Sequence, residues 1–93
     1  MNLSESLRIY ARVADLASFS AAADQLGLPR ASVSAAVRQL EGELGTRLLH
    51  RTTRRVQVTQ DGQVVLERAR DLLADLDELH GLFRADPSDL RGR

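Results

Sequence analysis

"RASVSAAVRQLEGELG", residues Arg30 to Gly45, carries apolar residues at helical spacing on one side and almost no side chains on the other. Val33, Val37, Leu40 and Leu44 recur at intervals of 4, 3 and 4, which stacks them on one face of a helix. With about 100° of rotation per residue, the opposite face holds Ala31, Ser34, Ala35, Arg38 and Gly42. Solvated helix faces ordinarily carry Glu, Lys or Gln. A helix stripped to small residues suits a major groove only about 12 Å wide, where long side chains all round would hold the backbone away from the bases. Arg30 and Arg38 would then reach base edges or phosphates. The plainer reading is an Ala-rich helix packed in a core or against another subunit. The neighbouring segments decide between the two.

Upstream, "SFSAAADQLGL" predicts a short helix over residues 20–26, with Ser18 or Ser20 as its cap, Ala22 and Leu26 inward and Gly27 as its stop. Only "GLPR" separates it from the next helix, and Pro29 suits a helix start because its missing N–H costs nothing there. Two short helices joined by a tight turn make a helix-turn-helix. Before them, "NLSESLRIYARVADLA" puts Leu3, Leu7, Tyr10 and Ala14 on one stripe, widened by Ile9, Val13 and Leu16, and predicts a helix over 3–17. Asn2 and Glu5 have the spacing of a capping box.

Downstream, "RLLHRTTRRVQVT" changes period. Val56 and Val58 alternate with Arg55 and Gln57, as in a half-buried strand, and Leu48 to Arg51 supplies a partner strand. The tip, Thr52 to Arg55, carries two arginines. A basic wing directly after the trimmed helix has a natural place on a duplex, gripping phosphate or entering the minor groove. "TQDG" then opens a long helix over 60–84, with Thr59 as cap and Asp61 in the favourable first turn. Val65, Ala69, Leu72, Leu76, Leu79 and Phe83 follow a heptad seam, widened by Leu66 and Leu73. A helix of about 24 residues is roughly 36 Å long, too long to lie wholly against so small a core. A second copy is the expected cover. "ADPSDLRGR" reads as a polar tail.

The whole chain agrees. Its 93 residues make one small domain with an appendage, and the absence of cysteine removes disulfides and thiolate metal sites. The formal charge of zero hides a division: residues 28–58 hold six arginines against two glutamates, whereas residues 59–90 hold eight acids against three arginines. Such a split predicts two surfaces with different partners. The apolar runs are too short for a membrane helix, and "MNLSESLRIY" lacks the features of a signal peptide. A cytoplasmic location is the expectation. His50 and His80 lack companions at metal-ligand spacing. Ser34, His50 and Asp61 lack a nucleophile elbow or oxyanion loop around them, so neither catalysis nor a cofactor is expected.

Taken in order, "SFSAAA", Ser34, "LEGELG", "RLLHRTTR" and "VTQDG" resemble the winged helix-turn-helix of the LysR-type transcriptional regulators, over residues 3–62. The resemblance implies a mainly α fold: three helices plus a small β-hairpin wing in residues 1–59, a linker and dimerisation helix in 60–84, and a polar tail in 85–93. It implies sequence-specific binding of double-stranded DNA with inverted half-sites by a homodimer, a higher oligomer of the intact protein remaining open. It also implies a small-molecule effector bound by a C-terminal domain of a longer protein. The implied DNA-contacting set is Ser20, Arg30, Ala31, Ser32, Ser34, Ala35, Arg38, Arg51, Thr53, Arg54 and Arg55. The implied dimer seam is Val65, Ala69, Leu72, Leu73, Leu76, Leu79 and Phe83. Ser34 and Arg38 stand at matching family positions. Arg30 stands where many members carry Gln, and Ala35 where many carry Arg, which removes one base contact. Arg51 has two readings, a phosphate contact or a structural partner of Glu41 or Glu43. The competing function is a winged-helix module that docks on another protein through its third helix.

Overall fold

The computed structural model describes residues 2–51 and 55–83. The order is α1 (Leu3–Leu16), α2 (Phe19–Leu26), α3 (Arg30–Leu44), β1 (Leu49–Arg51), β2 (Val56–Val58) and α4 (Gln60–Gly81). Asn2 caps α1 by accepting the Glu5 N–H, and Ala17 ends it in the left-handed region at φ 53°. Ser18, not Ser20, caps α2, accepting the N–H of Ala21 at 3.0 Å. Gly27 and Gly45 close α2 and α3 in the left-handed conformation that glycine adopts without strain. Pro29 stands at the N-cap of α3, one position before the first helical residue. The long helix stops at Gly81, three residues short of the expected end.

The two strands pair antiparallel, Leu49 opposite Val58 and Arg51 opposite Val56. Helix α1 packs against α2, α3 and α4 and is the centre of the molecule. Tyr10, Val13, Val33, Val37, Leu40, Leu48 and Leu49 have no solvent exposure. These are the inward positions of the stripes on α1 and α3, joined by the start of the wing. Leu44 is the exception on α3: it lies at the helix end and remains exposed.

Polar contacts fix α3 to the wing, and α4 to α1 and to the segment before β1. The buried Glu41 carboxylate accepts the backbone N–H groups of Leu48 and Leu49 at 2.9 and 3.3 Å, so the last turns of α3 orient the entry to β1. The Tyr10 hydroxyl donates to the Gly62 carbonyl at 2.7 Å, tying α1 to the first turn of α4. Thr59 caps that turn on the Gly62 N–H and donates its own hydroxyl to the Arg47 carbonyl.

Burial pushes the Tyr10 hydroxyl from its ordinary 10.0 up to about 12, and the nearby Glu41 charge adds to the rise. The folded chain therefore keeps a proton that the unfolded chain releases first. This contribution to stability is complete below the unfolded value and is lost as pH rises through the folded one. Denaturation midpoints should fall between about pH 10 and 12. In Tyr10→Phe, part of that fall should disappear, and the midpoint at neutral pH should be lower because the Gly62 carbonyl loses its donor, at roughly 1–2 kcal/mol. An identical alkaline profile for the two chains would show that Tyr10 does not carry the effect.

Helix α4 divides its apolar residues between two directions. Gly62, Leu66, Ala69 and Leu73 face the chain's own core. Arg8–Asp77 and Arg70–Asp15 ion pairs join α1 and α4 along their antiparallel lengths, and the Arg8 hydrogen bond holds the Asp77 carboxyl below its ordinary value. Val65 and Leu76 pack only partly against the core. Leu72, Leu79 and Phe83 stay 53%, 57% and 93% exposed. The heptad seam is thus split: Ala69 and Leu73 are covered by the same chain, and the outer members are not.

Candidate nucleic-acid interface

On α3 the trimmed face lies outward. Arg30, Ala31, Ala35, Arg38 and Gly42 are exposed, Ser32 and Ser34 half-buried, and Val33, Ala36, Val37, Leu40 and Glu41 buried. The division follows from α1 and α2, which cover one side of α3 and leave the other uncovered. Arg38 lies along the face, with a guanidinium nitrogen 3.4 Å from the Ser34 hydroxyl.

Two concavities flank this face. One, of about 200 Å³, brings together Ser20 from α2, Arg30 from the start of α3 and Arg55 from the wing. Three residues far apart in the sequence thereby line one cleft, with Ser18 and Phe19 beside them. The other, of about 550 Å³, lies at the far end of α3, between Arg38 and Gly42 on one side and Arg47 and Arg51 on the other. Thr53 and Arg54 fall outside the described residues.

Arg51 has a third situation beyond the two expected from the sequence. Its guanidinium lies over the Phe19 ring, 4.8 Å from the centroid, which links β1 to the first turn of α2. Glu41 pairs instead with Arg47, Nε to oxygen 3.7 Å. Nothing in "GTRLL" marks one arginine after a helix-ending glycine as special, so the place of Arg47 emerges only from the packing.

Three helices, a tight turn between the second and third, and a two-stranded wing after the third define a winged helix-turn-helix. A family model described as "Bacterial regulatory helix-turn-helix protein, lysR family" matches residues 4–63. The chain belongs to that family. It is 45% identical over 93 residues to the "Uncharacterized HTH-type transcriptional regulator YhjC" of Escherichia coli, covering 100% of this chain and 31% of that relative. The chain therefore spans about a third of the length of that curated relative. Among solved structures, "Crystal Structure of BenM_DBD/catB site 1 DNA Complex" superposes with a TM-score of 0.82 at 33% identity, covering 88% of this chain and 90% of that one. "Corynebacterium glutamicum OxyR, oxidized form" superposes with a TM-score of 0.84 at 30% identity, covering 90% of this chain and 27% of that one. None of the described helices is long and apolar enough to cross a membrane.

Proposed function

We propose that this chain is the DNA-binding part of a dimeric transcriptional regulator, with α3 reading a major groove and the wing gripping the adjacent backbone. The observation that carries this is the outward face of α3: exposed, nearly free of bulk, and bordered by arginines of α3 itself, of β1 and of the segments on either side of β1. The BenM fragment that this chain resembles is solved with DNA. In this reading Ser34 and Ala35 lie closest to the bases, and Arg30 and Arg38 supply donors to base edges. Ser20, Ala31 and Ser32 border them, and Arg51 and Arg55 approach phosphates, with Thr53 and Arg54 assigned to the same wing. The chain performs no covalent chemistry and works in the cytoplasm. Residues 1–59 act as the reading head and 60–84 as the linker helix. A C-terminal domain of the longer protein senses the effector.

The exposed stripe of Leu72, Leu79 and Phe83, with Val65 and Leu76 beside it, supports a homodimer through α4. A two-fold pair places two reading heads on inverted half-sites about one helical turn apart, or a multiple of it. Selection of duplexes from a random pool by the purified chain tests both halves of the reading. The selected sites should be inverted repeats bound with a steep salt dependence. Leu72→Asp alters a residue that the monomer core does not need. It should sediment as a monomer and bind a paired site at least ten times more weakly, while half-site preference survives. Absence of any duplex affinity would favour the protein-docking alternative, and a Leu72→Asp chain that still dimerises would remove α4 from the interface.

A further inference from the structure

We propose that Arg47 is a DNA-backbone contact, and that the groove it borders with Arg38 and Arg51 seats phosphates of the strand flanking the major groove. The inference rests on α3 being the reading helix and extends the footprint beyond it. Helix α3 has 15 residues, hence a length of roughly 22 Å, whereas the major groove is about 12 Å wide. With the N-terminal half of α3 at the bases, the stretch beyond Arg38 extends past the groove and over a sugar-phosphate strand. The 550 Å³ concavity opens at that point.

Its walls suit an anionic ribbon. Gly42 and Gly45 line it, and a Cβ at either would meet no heavy atom within 4 Å, so a backbone can approach closely. Arg38, Arg47 and Arg51 surround it, against one carboxylate, Glu41. That carboxylate is 9% exposed and already accepts two backbone N–H groups, so it attracts little competing hydration and leaves the groove net positive. Arg47 directs Nε toward Glu41 while its side chain is 71% exposed. A guanidinium has five N–H donors, and Nε supplies only one. The pair with Glu41 orients the guanidinium, and the other donors serve a phosphate. Arg51 is likewise held, over Phe19. Two arginines positioned by the fold bracket a bare floor.

The test measures affinity against salt concentration for the 93-residue chain on its selected duplex. One lost phosphate contact lowers the slope of log affinity against log salt by about 0.9, so the fall between roughly 50 and 200 mM salt shrinks about threefold. Arg47→Ala should show this change equally on every duplex, and Arg47→Lys should restore most of it. Ethylation interference should disappear at one flanking phosphate in Arg47→Ala. Gly42→Asp, which puts a carboxylate on the groove floor, should weaken binding without loss of helical circular dichroism. An unchanged slope and interference pattern in Arg47→Ala would overturn the assignment and leave the reading of α3 intact. Altered base preference would overturn it too, making Arg47 a base reader. If the unmodified chain bound no duplex, the assignment and the underlying reading would fall together.

Discussion

Ser34→Glu should abolish duplex binding, with affinity reduced by at least a hundredfold at physiological salt, while the far-UV circular dichroism stays unchanged. Ser34 is half-buried on the outward side of α3, between exposed Ala31 and Ala35, one turn before Arg38. Glutamate there adds length and negative charge where, in the proposed reading, the helix backbone comes nearest to the bases. It also offers Arg38 an intrahelical partner at i,i+4, drawing that cation away from DNA. Losing a base-edge donor costs about 1–3 kcal/mol, and the blocked approach of the backbone adds to it, so the two together exceed a hundredfold. Folding is untouched because the packed side of α3 is Val33, Ala36, Val37 and Leu40. Fluorescence anisotropy on the selected duplex decides the point. Near-normal affinity would mean that this face of α3 does not meet DNA.

Gly62→Ala should cost roughly 3 kcal/mol of stability and lower Tm by more than about 10 °C for a domain of this size. A Cβ at Gly62 would be driven into the Leu48 carbonyl oxygen, and would lie 2.7 Å from the Tyr10 hydroxyl and 2.9 Å from Val58 Cγ1. Neither the Leu48 carbonyl nor the Tyr10 hydroxyl can move cheaply. The Leu48 carbonyl accepts the Thr59 N–H at 3.0 Å, and Leu48 itself has no exposure. Tyr10 is equally buried, and its hydroxyl is bound to the Gly62 carbonyl. Relief requires α4 to shift off α1 and the wing, which also disturbs the direction in which its outer leucines project. A thermal melt within about 2 °C of the unmodified chain would show that α4 docks more loosely than this packing implies.

The need for glycine at position 62 could not be read from "TQDG", which looks like an ordinary capped helix start. It arises because Tyr10 from α1, Val58 from β2 and the Leu48 carbonyl just before β1 converge on it. Glu41 is a similar case. Its place on α3 was legible, and its buried carboxylate under β1 was not, since a charge on a helix reads as solvated until a neighbouring strand covers it.

Periodicity is a local property, and wherever the fold depends on it the residue order was sufficient. The 4-3-4 spacing of Val33, Val37, Leu40 and Leu44, the alternation around Val56 and Val58, and the caps at Asn2, Thr59, Gly27 and Gly45 place four helices and a hairpin to within a few residues. The bare face of α3 was legible for the same reason, because helix geometry alone puts Ala31, Ser34, Ala35 and Arg38 together. Pairings between distant segments were settled only in three dimensions. The cleft shared by Ser20, Arg30 and Arg55, the stacking of Arg51 on Phe19 and the Arg47–Glu41 pair depend on how α2, α3 and the wing are packed around α1. The apolar stripe of α4 makes the difference plain. A heptad pattern records which residues avoid water and carries no information on which neighbour removes them from it. Packing of α1 assigned Ala69 and Leu73 to the chain's own core and left Leu72, Leu79 and Phe83 outside it.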